Sequence, residues 1–201
     1  VGKEAALPEK ELVVGWAEGR ERTSWSRQDL LARTQAVAGT LQPFLNKGDR
    51  ACAVVSNVPE TITAMLGTTW LGGVWSSCSP DFGVEAIVDR FQQVEPKVLF
   101  YTTAYVHNGK TFDTLSSLQH LLSKLPTVRC VVLIDHLHHQ NGEALSQLKR
   151  DFSGVSFFED SQLAPPDTVV PSVSCQFDDP VYILFSSGTT GVPKCITHGV
   201  G

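Results

Sequence analysis

The chain has 201 residues, 42% of them hydrophobic, and a net charge of -5 at neutral pH. A chain of this length and apolar content can bury a substantial core, so the composition favours one globular domain or a large subdomain and argues against disorder. The acidic balance gives no electrostatic footprint for nucleic acid or for an anionic membrane, which argues against both as partners.

The cysteines are odd in number and scattered, and no two of them form a Cys-x-x-Cys pair. They are Cys52, Cys78, Cys130, Cys175 and Cys195. Such a set predicts neither a disulfide framework nor a zinc site and fits a reducing compartment. Most of them lie in apolar runs, so we interpret them as small core residues. No run is apolar enough to span a membrane and no targeting signal is present, so the cytoplasm is the predicted location.

Residues 1–24 mix charged and apolar side chains without a clean period, and this segment receives no predicted role. From residue 25 onward the pattern is that of a folded domain. Ser26 followed by Asp29 is typical of a capping box, and the apolar residues after it recur at helical spacing. The sequence therefore predicts an amphipathic helix that ends near Gly48.

Short apolar runs then alternate with segments of helix length. Strands are predicted at 51–55, 74–76, 97–101, 130–134 and 155–158. Helices are predicted at 59–71, 84–94, 114–125 and 145–150. This alternation predicts an α/β fold, with a mostly parallel sheet flanked by helices and right-handed crossovers.

Two polar loops between these elements have competing interpretations. The loop at 76–83 follows a predicted strand, at the position where open parallel sheets place ligands. It is equally compatible with a plain strand-to-helix connection in which Asp81 caps the helix. The His-rich loop at 136–142 has no carboxylate or cysteine at ligand spacing, which favours a solvated loop over a metal site.

The region from Asp179 to Gly199 has the clearest chemical pattern. An apolar run of strand-forming residues stops at two serines, and a loop of Gly and Thr leads to Pro193-Lys194. Glycines let backbone N–H groups converge on an anion, hydroxyls add donors and a lysine adds mobile positive charge. A solvated turn is the alternative, but the combination favours phosphate binding. The candidate phosphate-binding residues are Ser186, Ser187, Gly188, Thr189, Thr190 and Lys194.

This loop differs from the Walker loop, which has four residues between its glycines and a Lys-Ser/Thr pair entering a helix. Here Pro193 precedes the lysine, and Cys195-Ile196-Thr197 has strand propensity. The sequence therefore predicts a loop between two strands, with the phosphates held by loop donors rather than by a helix dipole.

The segment Ser-Ser-Gly-Thr-Thr-Gly-Val-Pro-Lys at 186–194 resembles the phosphate-binding signature of the adenylate-forming enzymes: acyl-CoA synthetases, luciferases and peptide-synthetase adenylation domains. Lys47-Gly48-Asp49-Arg50 before a strand is similar to the opening of short-chain acyl-CoA synthetases. The loop at 75–83 and Lys194-Cys195 resemble the members that activate acetoacetate. The resemblance extends over about 25–199.

The resemblance implies an ATP-dependent acid–thiol ligase that converts acetoacetate to acyl-AMP and passes the acyl group to CoA, with Mg²⁺ assisting. It implies that the six candidate residues contact the ATP phosphates while Gly191 and Pro193 shape the loop. In this family the adenine pocket, the Mg²⁺-holding segment and the lysine-bearing lid follow such a loop. No catalytic residue or metal ligand is therefore predicted within the chain, and residues 25–201 are expected to be an incomplete N-terminal domain, inactive alone. The alternative is a noncatalytic nucleotide-binding or interaction module.

Overall fold

The computed structural model describes residues 10–18, 20–137, 142–163, 169–186 and 191–201. The helices are α1 (Arg27–Leu41), α2 (Pro59–Trp70), α3 (Val84–Val94), α4 (Leu115–Lys124) and α5 (Gly142–Asp151). The strands are β1 (Val13–Gly15), β2 (Thr23–Trp25), β3 (Arg50–Val54), β4 (Val74–Cys78), β5 (Val98–Thr102), β6 (Ala104–His107), β7 (Lys110–Asp113), β8 (Cys130–Ile134), β9 (Ser156–Glu159), β10 (Pro180–Ser186) and β11 (Lys194–Gly199). A 3-10 helix, Asp160–Gln162, follows β9.

The main sheet has the strand order β11-β10-β4-β3-β5-β8-β9. Neighbours from β10 to β9 run parallel, whereas β11 pairs antiparallel with β10 at one edge. The predicted α/β fold with a mostly parallel sheet flanked by helices is confirmed. Within the described residues, no helix combines the length and apolar character needed to cross a lipid bilayer.

Both faces of the sheet are buried, because alternate residues of each central strand pack against different helices. In β5, Val98 and Phe100 belong to a core cluster shared with α1 and α2. Leu99 and Tyr101 belong to a second cluster shared with α3, α4 and α5. Strands covered on both faces are nearly continuous apolar runs, which is why the sequence shows them so clearly.

Helix α1 begins as predicted and ends earlier than predicted. The Asp29 N–H donates to Ser26 Oγ at 3.1 Å and the Ser26 N–H donates to Asp29 Oδ2 at 3.0 Å, which confirms the capping box. The predicted end near Gly48 is wrong, because the helix stops at Leu41. Pro43 has no N–H to continue the helical hydrogen bonds, and the chain turns there.

Two hairpins were not predicted. β1 pairs antiparallel with β2, and β6 pairs with β7. In the second, Asn108 and Gly109 turn the chain with φ angles of 52° and 72°. Two positive φ angles are typical of the tight turn that Asn-Gly favours between strands, so the sequence did contain this signal. Strand β2 includes residues on both sides of the predicted boundary between segment 1–24 and domain 25–201. The boundary itself stays a prediction.

Candidate functional site

The β10–β11 hairpin presents the candidate phosphate loop at one end of the sheet. Ser186 is the last residue of β10, Lys194 is the first of β11, and the two are cross-strand partners. The prediction that the loop joins two strands is confirmed. Within the loop, Ser187–Thr190 lie outside the described residues, so their predicted phosphate contacts stay predictions.

The described part of the loop has features suited to an exposed binding segment. Lys194 is exposed and Ser186 is half-buried. Gly191 has a φ of +111° with no other atoms within 4 Å of where a Cβ would lie. Side chains of L-residues rarely adopt this φ, so the backbone conformation rather than crowding explains the glycine.

The hairpin adjoins the polar loop that follows β4. Because β10 and β4 run parallel, their carboxyl ends lie at the same edge of the sheet, where open α/β sheets bind ligands. A cleft of about 290 Å³ opens at this edge, after β3 and β4 and beside the β6–β7 hairpin. It is lined by Ser56, Asn57, Ser79, Pro80, Asp81, Tyr105, Val106, His107 and Phe112.

The alternative interpretation of this loop, in which Asp81 caps the following helix, is wrong. The N-cap of α3 is Gly83, and no side chain makes the capping hydrogen bond. The side chain of Asp81 instead lines the cleft. The loop does connect β4 to α3, and its ligand-binding interpretation stays a prediction.

Two serines of β4 attach the strand that carries the phosphate loop. The ladder between β10 and β4 has the single register pair Tyr182 and Trp75. Beside it, Ser76 Oγ donates to the carbonyl oxygen of Ile183 at 2.8 Å, and Ser77 Oγ lies 3.3 Å from the Tyr182 hydroxyl. The hydroxyl of fully buried Ser76 therefore supplements the backbone pairing that fixes β10 in the sheet.

We expect Ser76→Ala to lower the free energy of unfolding by about 1–2 kcal/mol, because it leaves the half-buried Ile183 carbonyl without this donor. Urea denaturation measures the change. Ser77→Ala is the matched control, with a longer contact in a half-buried position, and its loss should be smaller. Equal stability of Ser76→Ala and the unmodified protein would contradict the role of this hydrogen bond.

Helix α3 contacts both the β4 loop and β10 through one arginine. The Arg90 guanidinium carbon lies 5.1 Å from the ring centre of Phe82 and 5.9 Å from that of Phe185. A cation over aromatic faces is attracted by their electron density. Sequence reasoning missed both Arg90 and Ser76, because the contacts that define their roles join distant parts of the chain.

The interpretation of all five cysteines as core residues is correct for three of them. Cys52, Cys78 and Cys130 are buried, whereas Cys175 and Cys195 are exposed. Burial raises the pKa of Cys78 to about 11, so this thiol is protonated at neutral pH. Cys195 lies in the edge strand β11 and Cys175 in the segment before β10, and several apolar residues near them in the chain are exposed.

The chain belongs to the AMP-binding enzyme family, whose family model matches residues 3–201. This assignment agrees with the mostly parallel sheet and with a Gly/Thr-rich loop between β10 and β11. It also agrees with the resemblance to adenylate-forming enzymes seen in the sequence.

The narrower resemblance to enzymes that activate acetoacetate is also confirmed. Acetoacetyl-CoA synthetase of Mus musculus is 35% identical over 92% of this chain, and acetoacetyl-coenzyme A synthetase of Rhizobium meliloti is 38% identical over 78% of it. These alignments span 28% and 23% of the two relatives. Malonamoyl-CoA synthetase of Penicillium aethiopicum is 32% identical over 98% of this chain and 27% of its own length.

Solved structures give the same result. Acetoacetyl-CoA synthetase from Streptomyces lividans superposes with a TM-score of 0.83 at 32% identity, over 96% of this chain and 28% of that protein. The adenylation domain of a carboxylate reductase from Mycobacterium chelonae superposes with a TM-score of 0.72 at 15% identity, over 89% of this chain and 28% of that chain. The second match supports the fold alone.

Proposed function

We propose that this chain is the N-terminal part of an ATP-dependent acid–thiol ligase that activates acetoacetate and transfers it to CoA. One observation carries the proposal: the sheet presents the Gly/Thr-rich loop between Ser186 and Lys194, in a chain of the AMP-binding enzyme family. The chain spans 23–28% of the acetoacetyl-CoA synthetases it resembles, so the proposed reaction needs residues beyond it.

The proposed chemistry has two steps. A carboxylate oxygen of the acid first bonds to the α-phosphorus of ATP, the bond from that phosphorus to the β-phosphate bridge breaks, and pyrophosphate leaves. The CoA sulfur then bonds to the acyl carbon, the thiol proton is released and AMP departs. Splitting the reaction makes sense because a free carboxylate is a poor electrophile, whereas an acyl-phosphate anhydride is a good one.

The proposed role of the loop lies in the first step. Negative charge grows on the departing pyrophosphate, and fixed N–H groups, hydroxyls and a nearby ammonium stabilise such charge. We assign these contacts to Ser186–Thr190 and Lys194. Ser186 and Lys194 lie directly across the hairpin from each other, which supports a joint contact with one polyphosphate chain.

Mg²⁺ accompanies ATP in the proposed reaction, and it would neutralise phosphate charge. Within the described residues, no group of three or more His, Cys, Asp or Glu side chains is placed to hold a metal ion. We therefore assign the described residues no step that involves the ion.

The relatives narrow the class of acid. An acetoacetyl group and a malonamoyl group both carry a second carbonyl beyond the methylene carbon, and they differ in a terminal methyl or amino group. Their synthetases match this chain at 35% and 32% identity. We therefore propose a short acid with a carbonyl at the 3-position as the substrate class, with acetoacetate as its first member.

The test is acid-dependent exchange of labelled pyrophosphate into ATP, measured on the complete natural protein that contains this sequence. We expect exchange with acetoacetate, less with malonamate and least with acetate. If the site hydrogen-bonds the amide of malonamate, exchange with malonamate should exceed exchange with acetoacetate. Sites of this kind reject an isostere that lacks the donor. Absence of exchange with every acid would contradict the proposed ligase.

A noncatalytic nucleotide-binding module is the second candidate, because the chain includes the loop but spans only 28% of the mouse acetoacetyl-CoA synthetase. Calorimetric titration of ATP into the 201-residue chain separates the two. Binding by the short chain, together with no exchange by the complete protein, would favour the module. No binding at millimolar ATP would remove it.

A further inference from the structure

The side chain of Gln93 joins helix α3 to the two residues that flank Lys194. Gln93 Nε2 donates to the carbonyl oxygen of Pro193 at 2.9 Å. On the other side of Lys194, the thiol of Cys195 lies 3.7 Å from Gln93 Oε1 and donates to it. One amide therefore holds the start of β11 both before and after the lysine.

The Cys195 contact shows on which face of the sheet Lys194 lies. Successive residues of a strand point to opposite faces, so a Cys195 side chain held against α3 places Lys194 on the other face. Ser186, the cross-strand partner of Lys194, shares that second face with it. Gln93 thus holds β11 from the face opposite to the one that Lys194 and Ser186 share.

The hairpin depends on such external contacts because the sheet holds it weakly. β11 is an edge strand whose residues are all exposed. β10 joins β4 through a single register pair. At the open end of the hairpin the Val200 N–H donates to the Asp179 carbonyl at 3.1 Å, whereas at the loop end the Gln93 amide makes hydrogen bonds with the Pro193 carbonyl and the Cys195 thiol.

We infer that Gln93 is a positioning residue for Lys194. Gln93 sets the position of the Lys194 ammonium when the loop binds a polyphosphate, although Gln93 makes no contact with the substrate itself. This inference rests on the proposed function, since it assigns a purpose to Lys194 that the ligase reaction supplies. Small displacements of a charge-stabilising group are costly, because the reacting atoms must be aligned closely.

A purely local role for Gln93 is the competing explanation. Its Nε2 also donates to the Asp89 carbonyl of its own helix at 2.7 Å, which would stabilise α3 alone. The neighbouring Gln92 gives a matched control, because it is exposed on the same helix and donates to the Lys124 carbonyl at 3.3 Å, away from the hairpin.

The experiment compares Gln93→Ala and Gln92→Ala in the complete protein by acetoacetate-dependent pyrophosphate exchange. For Gln93→Ala we expect kcat to fall about tenfold, with the KM for acetoacetate changed by less than about twofold. Gln92→Ala should leave both unchanged. The thermal midpoints of the two variants should agree with each other, because both replace an exposed helical glutamine.

A double-variant cycle tests whether Gln93 acts through the lysine. In a Lys194→Ala background, Gln93→Ala should cost less than about twofold in kcat, because the group that it positions is gone. The same tenfold loss in that background would overturn the inference. An unchanged kcat for the single Gln93→Ala variant would overturn it as well.

Backbone hydrogen exchange without nucleotide separates this inference from the proposed function. In Gln93→Ala the backbone amides of the peptide spanning 191–196 should exchange about tenfold faster, because the contacts of Gln93 with Pro193 and Cys195 are lost. Unchanged exchange overturns the contact with β11 whatever the enzyme does. If the unmodified protein shows no pyrophosphate exchange with any acid, the proposed function fails and the positioning role fails with it, even where the peptide exchanges faster.

Discussion

Replacing Lys194 with alanine in the complete protein is expected to slow acyl-adenylate formation about 100-fold, the typical loss when one stabiliser of transition-state charge is removed. The lysine supplies a cation where charge grows on the departing pyrophosphate. Because its side chain is exposed at the first position of an edge strand, the substitution should leave the thermal midpoint nearly unchanged. Pyrophosphate exchange and thermal unfolding measure the two quantities.

Lys110→Ala is the matched control, since Lys110 is likewise an exposed lysine at the first position of a hairpin strand, β7. It should exchange pyrophosphate at the rate of the unmodified protein. Equal rates for Lys194→Ala and Lys110→Ala would contradict the role of Lys194. A marked fall in the thermal midpoint of Lys194→Ala would show that its loss acts through folding instead.

The central part of the fold could be predicted because its signals are local. The bounds of α3 and β8 agree with the predicted ranges 84–94 and 130–134. In both, burial imposes a pattern that a short window of sequence reveals. Helix α3 has one buried stripe and shows a helical period, whereas β8 is buried on both faces and shows a continuous apolar run.

Elements with little burial were harder to predict. β7 is exposed along its whole length, so its residues carry no alternation between apolar and polar. β1 and β2 have three residues each, too few to show a period. The Asn108-Gly109 turn was the one strong signal in these regions, and it depends on backbone geometry rather than on hydrophobic pattern.

The candidate site likewise has a part that the sequence predicts and a part that it does not. The loop at 186–194 is defined by its own residue types, so sequence alone indicated its position. The side chains that brace it are distant in sequence: Ser76 lies 107 residues from Ile183, and Gln93 lies 100 residues from Pro193. Which strands are neighbours decides these contacts, and the strand order β11-β10-β4 follows from packing of the whole chain rather than from any short segment.

Asp160 gives a prediction of similar size for stability. It begins the 3-10 helix and lines a cavity of about 230 Å³ together with Arg20, Arg33 and Glu60. Burial raises the pKa of its carboxyl group to about 6, and the nearby Glu60 carboxylate adds to the rise, while Arg33 and Arg20 oppose it. Asp160 therefore stays protonated up to a higher pH in the native protein than in the unfolded chain.

The sign of the pH dependence follows. A carboxyl whose pKa is higher in the native state than in the unfolded chain loses stability as it ionises, between about pH 4 and pH 6, and the loss is complete above that range. We expect Asp160→Asn, which cannot ionise, to raise the free energy of unfolding by about 2–3 kcal/mol at pH 8 and to change it little at pH 4. Urea denaturation across this pH range measures the difference.

The ion pair between Arg20 and Glu60 explains why these charges do not remove the free-energy cost of ionising Asp160. Arg20 binds Glu60 with both ends of its guanidinium, at 2.8 Å and 2.7 Å. Burial is the largest single effect and raises the pKa of Glu60. The hydrogen bond from Arg20, a backbone hydrogen bond and the nearby charges of Arg20 and His136 together outweigh burial, and the net pKa is lowered. Glu60 thus stays ionised beside Asp160, and the Arg20 guanidinium is already hydrogen-bonded to Glu60.

The exposed Asp151 of α5 provides the control, and Asp151→Asn should change stability by less than about 0.5 kcal/mol at either pH. A gain for Asp160→Asn that is equal at pH 4 and pH 8 would mean that the amide packs better than the acid, not that ionisation is relieved. A loss of stability at pH 8 would mean that Arg33 and Arg20 attract the Asp160 carboxylate more strongly than burial and Glu60 oppose it.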